Sequence, residues 1–471
     1  MAAPTDQPEW IENQVFDDIQ IGDTASVVRE LTEDDIALFA IVSGDVNPAH
    51  LDPQYAATDL FHRIIAHGMW GGGLISAVLG TKLPGPGTIY LSQDLHFRAP
   101  VGIGDTITAS VTVREKNAEK RSLTLDCLCT NQDGKAVITG QGVVKAPDTH
   151  QRLRRQSLPD VRLQRHARFI PIIQQAQALG PVTVAVAHPC DLASMAAVGE
   201  LMSLGMIAPI LVGPTAKIQA AATSAGFDLS TCRVVDAAHS HAAAAEAVAL
   251  VRRGEAVMLM KGALHTDELM HEVVDTTTGL RTDRRLSHVY AMDVPSYDRL
   301  LLVTDAAINI APTLEEKADI IRNAIDVAHV LGVALPKVAV LSAVETVNPA
   351  LRSSVEAAAL AKMGERGQIM GGIVDGPLAF DNAVSLEAAV QKGIVSQVAG
   401  MADILVVPDL ETGNMVAKQL SFLAGADAAG VVVGARVPII LTSRADSQRT
   451  RIASCAVARL MVQAQVQERT A

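Results

Sequence analysis

The sequence predicts an α+β domain followed by a larger α/β domain, and three observations carry that expectation. Up to residue 146 the chain is dominated by strands that alternate apolar and polar residues. From residue 165 on, continuous apolar strand runs alternate with Ala-rich helical segments. Between them, over 147–164, runs PDTHQRLRRQSLPDVRLQ, rich in arginine and without an apolar period. It reads as an inter-domain linker whose basic run faces solvent, with contact to an anionic ligand as the alternative. A chain of 471 residues also exceeds one ordinary core.

In the first part, TEDDIALFAIVSG reads as a helix with Thr32 as N-cap and an acidic first turn. HGMWGGGLISAVLGTKL is apolar on nearly every side, the pattern of a buried helix. Four strands follow, over 89–101, 105–115, 121–130 and 135–146, the last two joined by the turn signal NQDG. One buried helix wrapped by an antiparallel sheet is the hot-dog arrangement. In the second part VTVAVAH, APILVGP, AVMLMKG, RLLLVTD, KVAVLS and DILVVPD read as strands of a parallel sheet covered on both faces. About 300 residues in this style imply two lobes with a cleft.

Composition narrows the function. Aromatics are only 3%, so the cores must be built from Ala, Val, Ile and Leu. The net charge is −12, which gives no general pull toward nucleic acid or an anionic membrane. MAAPTDQPEW lacks the basic and apolar regions of a signal peptide. No apolar run reaches the roughly 18 residues of a membrane span. A cytoplasmic protein is expected. Five scattered cysteines do not form a disulfide framework, and Cys127 and Cys129 read as buried apolar residues. No metal site is expected, at His239 and His241 or elsewhere, and no Gly-rich phosphate loop appears.

SGDVNPAHLD follows the first helix. Pro48 fixes the turn, so the loop can aim Asp45 and His50 into one pocket. A carboxylate and an imidazole held together can activate water and return a proton to carbon. Gly68 starts the buried helix, where a backbone N–H can hold a developing oxyanion. With IIAHGMWGGGLIS and IYLSQDLHFRAPVGIGD, these residues resemble the MaoC-like, R-specific enoyl-CoA hydratase family over residues 10–146. The resemblance implies that Asp45 and His50 are the catalytic dyad, that Gly68 N–H binds the thioester oxygen, and that Asn47 holds the loop. It also implies pairing of two hot-dog domains edge to edge, in a homodimer or higher homo-oligomer.

In the second part, polar clusters follow the strands, where open α/β sheets place their sites. MKGALHTDEL, DAAINIAP, SAVETVNP, DGPLAFDNA, PDLETGN and LTSRADS resemble the phosphate acetyltransferase and phosphate butyryltransferase family over residues 165–471, closer to the butyryl branch. The fold implied is that of isocitrate and isopropylmalate dehydrogenases, two α/β lobes flanking a cleft. The reaction implied is acyl transfer between coenzyme A and phosphate, with acyl-CoA thioesters and phosphate as substrates and no permanently bound cofactor. On this resemblance Arg444 grips the acyl phosphate and Ser443 supports the leaving sulfur. Arg285 is the candidate anion contact, with Arg281 or Arg284 as alternates. Lys261, Asn309, Thr346 and Asn348 complete the candidate substrate-binding set. Thr450 stands where the acetyl-type enzymes carry an Asp as thiol base. This departure keeps open a second reading, an active hydratase whose C-terminal domain only binds acyl-CoA.

Overall fold

The structure is a computed structural model, and it describes residues 10–159, 161, 163, 167–441 and 446–470. The chain divides into two compact units, Met1–Leu163 and Gln164–Ala471.

In the first unit, β1 (Trp10–Glu12) and β2 (Thr24–Glu30) precede α1 (Glu33–Ser43), α2 (Pro48–Leu51), α3 (Pro53–Thr58) and α4 (Gly68–Thr81). Then come β3 (Ile89–Phe97), β4 (Thr106–Asn117), β5 (Ser122–Thr130), β6 (Ala136–Lys145) and β7 (Arg152–Arg154). Strands β2, β4, β5, β6 and β3 form, in that order, an antiparallel sheet. Every second residue of β4 faces inward: Ile107, Ala109, Val111 and Val113 meet Trp70, Leu74, Ile75, Val78 and Leu79 of α4 in one core. Each buried large aliphatic contributes about 2 kcal/mol. Cys127 and Cys129 lie in this core, and burial pushes both thiols up, Cys129 to about 12.

Two details differ from expectation. Helix α4 is buried on one stripe only. Met69, Gly73, Ser76, Ala77 and Gly80 are exposed, because the sheet covers a single face of the helix. The interval 147–164 is not free of structure either. Its residues Arg152–Arg154 pair antiparallel with Trp10–Glu12, and the Arg152 guanidinium lies 5.1 Å over the Trp10 ring.

The second unit begins with α5 (Phe169–Ala178), β8 (Val182–Ala187), α6 (Leu192–Ser203), β9 (Ile207–Gly213), α7 (Thr215–Ala225) and β10 (Arg233–Asp236). It continues through α8 (Ser240–Arg252), β11 (Met258–Lys261), α9 (Thr266–Val274), β12 (Ser287–Asp293), β13 (Leu301–Thr304) and α10 (Leu314–Val330). Next are β14 (Lys337–Leu341), α11 (Arg352–Glu365), β15 (Ile373–Leu378), α12 (Phe380–Val384), α13 (Leu386–Gln391) and β16 (Ile404–Val406). It ends with α14 (Leu410–Phe422), β17 (Asp427–Val433), β18 (Ile439–Ile440) and α15 (Gln448–Thr470).

Eleven strands form one sheet in the order β10-β9-β8-β11-β18-β17-β12-β13-β16-β14-β15. The expected all-parallel sheet is corrected. Strands β10, β9, β8, β11 and β18 are parallel to one another, but β17 runs against β18, β12 against β17, and β13 against β12. Strands β16, β14 and β15 then follow β13 in parallel. The two parallel sets therefore run in opposite directions. Apolar runs signal burial on both faces but carry no sign of direction.

The two faces of the sheet pack differently. One face of the sheet carries a continuous core that includes Val184, Val289, Leu302, Val338 and Val431. The other face carries two separate cores. One gathers Ala185, Leu259 and Ile439 under α8 and α9, and the other gathers Leu301, Ala339 and Leu405 with α12 and α13. Val289 and Ala291 belong to the continuous face, so their neighbours His288 and Tyr290 point to the divided one. Among the described residues no helix is long and apolar enough to cross a membrane.

Candidate active sites

The hot-dog site is built where α1 ends. Thr32 and Asp35 close a capping box at the start of α1, a feature that stabilises a helix by about 1 kcal/mol. Gly44 ends the helix at φ 74°, a left-handed conformation that glycine adopts without strain. The Asn47 side chain accepts from Ala49 N at 3.1 Å and caps α2, with Pro48 at its first position. Asn47 thus fixes the start of α2. Asp45 Oδ1 accepts from Asn47 N at 3.2 Å.

His50 is half-buried, and its Nδ1 lies 2.9 Å from the Ile65 carbonyl oxygen. A carbonyl only accepts, so Nδ1 carries the proton and Nε2 keeps a lone pair. Gly68 is the first residue of α4, and its N–H has no acceptor within the helix. A Cβ at Gly68 would come within 2.9 Å of the Phe97 ring. His50, His67 and Gly68 line a pocket of about 300 Å³ whose walls include Trp70, Phe97 and Ile138. Asp45 is exposed and sits beside them: one ligand-type atom each of Asp45, His50 and His67 lie within 4.8 Å of one another.

His67 is the residue that sequence reasoning missed. It is the N-cap of α4, it is buried, and its Nε2 lies 2.9 Å from the main-chain oxygen of Asp45. Its ring stacks on His50 with centroids 4.0 Å apart. The available signal was a polar residue inside the apolar run IIAHGMW.

In the second unit, Ser443 and Arg444 lie outside the described residues. The next described residue is Asp446, whose charge, after burial, helps push the Tyr290 hydroxyl up. That end of the loop thus lies within electrostatic reach of the divided face. Tyr290 meets His288 edge to face at 4.3 Å. His288 is buried, its Nδ1 has no hydrogen-bond partner among the described residues, and burial, opposed by Asp305, holds its pKa down at about 4. Folded His288 stays neutral where an unfolded chain takes up a proton, below about 6.5. The unfolded state binds more protons between those values, so stability falls as pH drops through that window. Chemical denaturation at a series of pH values checks this, and His288→Gln flattens the slope.

Asp305 organises the tip of β13. Its Oδ1 accepts from Ala307 N at 2.9 Å and Ile308 N at 3.0 Å, and its Oδ2 accepts from Asn309 N at 3.2 Å and Asn309 Nδ2 at 2.6 Å. Asn309 also donates to the Leu286 carbonyl at 2.8 Å and accepts from Arg285 Nε at 2.7 Å. Arg285 is ion-paired with Glu316 at 2.9 Å. The structure therefore joins Arg285 and Asn309, two of the expected residues, in one network with Asp305. Arg284 pairs instead with Asp326 at 3.4 Å, and Arg281 bridges to Ala435.

Other expected residues stand apart. Lys261 ends β11, in the parallel set that runs opposite to β13 and β14, so it leaves the sheet at the other edge. It is buried and already engaged. Thr346 is exposed, and Asn348 closes the turn into α11 by accepting from Ala350 N at 2.9 Å. The reversed strands send these strand tips to two edges of the sheet. Thr450 is also absorbed locally, since its N–H donates to Ser447 Oγ at 3.1 Å at the start of α15. His239 is the N-cap of α8, accepting from Ala242 N at 3.2 Å.

A hot-dog unit with an imidazole and a carboxylate beside an apolar pocket thus precedes an α/β unit of the phosphotransacylase fold. Residues 241–459 match the family model for phosphate acetyl/butyryl transferase, and residues 20–126 match that for a MaoC-like domain. A phosphate acetyltransferase of Rhizobium meliloti is 60% identical over 294 residues, 62% of this chain and 93% of the relative. A phosphate butyryltransferase of Clostridium acetobutylicum is 42% identical over 293 residues, 62% of this chain and 97% of the relative. A solved branched-chain phosphotransacylase from Enterococcus faecalis V583 is 33% identical, with a TM-score of 0.53 over 60% of this chain and 99% of that one. The chain belongs to the phosphate acetyl/butyryltransferase family and carries a MaoC-like domain at its amino end. The leaning toward the butyryl branch is not sustained, since identity is higher to the acetyl-named relative.

Proposed function

We propose that the chain is a bifunctional enzyme of acyl-CoA metabolism. The hot-dog half, assigned to residues 10–146, adds water to trans-2-enoyl-CoA to give (R)-3-hydroxyacyl-CoA. The half assigned to residues 165–471, beyond the interval 147–164, moves an acyl group reversibly between coenzyme A and phosphate. The observation that carries the first activity is His50, whose Nδ1 meets the Ile65 carbonyl and whose Nε2 has no hydrogen-bond partner among the described residues, beside a pocket that Gly68 also lines. The 60% identity to a named phosphate acetyltransferase carries the second.

In hydration, water oxygen bonds to the β carbon while Asp45 and His50 Nε2 take up its proton. A proton returns to the α carbon, and the enolate oxygen rests on Gly68 N–H until the thioester re-forms. In transfer, a phosphate oxygen attacks the thioester carbonyl, the carbon–sulfur bond breaks, and the thiolate leaves. Arg444 grips phosphate and Ser443 supports the sulfur. Arg285 and Asn309 hold an anionic part of the substrate, with Lys261, Thr346 and Asn348 as further contacts. No metal and no permanently bound cofactor enter either reaction.

The transferase half is assigned the two-lobed arrangement of isocitrate and isopropylmalate dehydrogenases. The protein is assigned to the cytoplasm and to a homodimer or higher homo-oligomer. Edge strand β3 exposes Ile89, Leu91 and Phe97, next to the uncovered face of α4, and a second copy would bury both. Arsenolysis tests the transferase: arsenate in place of phosphate gives continuous release of free coenzyme A from acetyl- or butyryl-CoA. Binding of coenzyme A without release would favour a C-terminal unit that only senses acyl-CoA.

A further inference from the structure

We infer that His67 is a positioning residue of the hydratase site, tying the Asp45 loop to His50 and to the start of α4. This inference rests on the hydratase reading. Three observations carry it. The His67 Nε2 to Asp45 main-chain oxygen distance is 2.9 Å. A carbonyl only accepts, so Nε2 carries the proton, and one imidazole N–H fixes the backbone of the residue whose carboxylate must face water. The ring packs on His50 at a centroid distance of 4.0 Å with an interplanar angle of 37°, so it also sets the plane of the second reacting group. His67 is the N-cap of α4 and precedes Gly68 directly, so the same residue sets where the oxyanion-binding N–H begins.

Its surroundings suit that role. His67 is 3% exposed, packs against Phe39 with centroids 5.0 Å apart, and keeps Nδ1 without a hydrogen-bond partner among the described residues. Asp45 itself is exposed and held by local loop contacts, Asn47 N to its carboxylate at 3.2 Å and its own N to Ser43 Oγ at 3.2 Å. Neither contact links it to His50. The His67 bridge does, joining an exposed loop residue to the buried helix.

Misplacing a reacting group by about 1 Å costs on the order of 10²-fold in rate. The test therefore compares two amides of different reach in the full chain. His67→Gln carries its donor close to the position of Nε2, and His67→Asn stops one carbon short. His67→Asn is expected to lose about 10²-fold in kcat for trans-2-enoyl-CoA with KM changed by less than about 3-fold. His67→Gln is expected to recover most of that loss. Phosphate-dependent release of coenzyme A from the same samples normalises the amount of chain, and denaturant unfolding of the hot-dog unit, with a midpoint equal to wild type, shows that each variant is folded. Equal rates for the two amides, whether both low or both at the wild-type level, overturn the assignment. An inactive wild-type chain would instead sink the hydratase reading, which separates the two failures.

Discussion

His50→Ala lowers enoyl-CoA hydration by about 10³-fold and leaves phosphate-dependent acyl transfer unchanged. General acid–base catalysis by a positioned side chain is worth about 10² to 10⁴-fold. His50 meets the condition for it, because the Ile65 carbonyl at 2.9 Å fixes its tautomer and leaves Nε2, beside the pocket, without a hydrogen-bond partner among the described residues. Asp45 remains in the variant, but its carboxylate then acts without a partner for the second proton. Loss of kcat with little change in KM marks a group that acts on the transition state. The unchanged transfer rate follows from the division after Leu163, which puts the two activities in separate compact units. A His50→Ala chain that hydrates at the wild-type rate would remove the dyad from the mechanism.

Asp305→Ala destabilises the second unit by about 3 kcal/mol or more and abolishes acyl transfer. The carboxylate is 3% exposed and accepts from three backbone N–H groups and the Asn309 amide. Removing it leaves those donors without an acceptor, and each unsatisfied buried polar group costs about 1–3 kcal/mol. Asn309 then keeps only the Leu286 carbonyl as anchor, which loosens the contact that aims Arg285 Nε. Asp305→Asn keeps one acceptor oxygen and lies between the variant and the wild type. Denaturant unfolding followed in parallel with both activities checks this. The outcome that contradicts it is an Asp305→Ala chain with the wild-type midpoint and wild-type transfer.

The hot-dog half was legible because its signals are local. The alternation in residues 105–115 appears in β4 as the inward set Ile107, Ala109, Val111 and Val113. Asp45, Asn47 and His50 stand within six residues, so one loop places them together. His67 was hidden because its partner is a main-chain oxygen, which no side-chain motif records, and because it reads as the lead-in to an apolar helix. In the second half the strand runs were visible but their directions were not. SHVYAMD carries no mark that β12 runs against both neighbours, and AGVVVGARVPII carries none that β17 runs against β18, the reversal that sends Lys261 and Asn309 to different edges of the sheet. The Arg285–Asn309–Asp305 network was half legible. Its members follow or precede strands, as expected, but their hydrogen bonds depend on the pairing of β12 with β13. The expectation for Ser443 and Arg444 falls outside the described residues.

The central claim is that one chain both hydrates an enoyl thioester and exchanges an acyl group between coenzyme A and phosphate. Trans-2-butenoyl-CoA without phosphate, followed by butyryl-CoA with phosphate, tests it on one sample of the full chain. The account predicts loss of the conjugated-enoyl absorbance before phosphate is added, with the thioester intact and no free coenzyme A. Addition of phosphate to the same chain with butyryl-CoA then liberates coenzyme A. An enoyl band that stays constant until phosphate arrives would contradict the account.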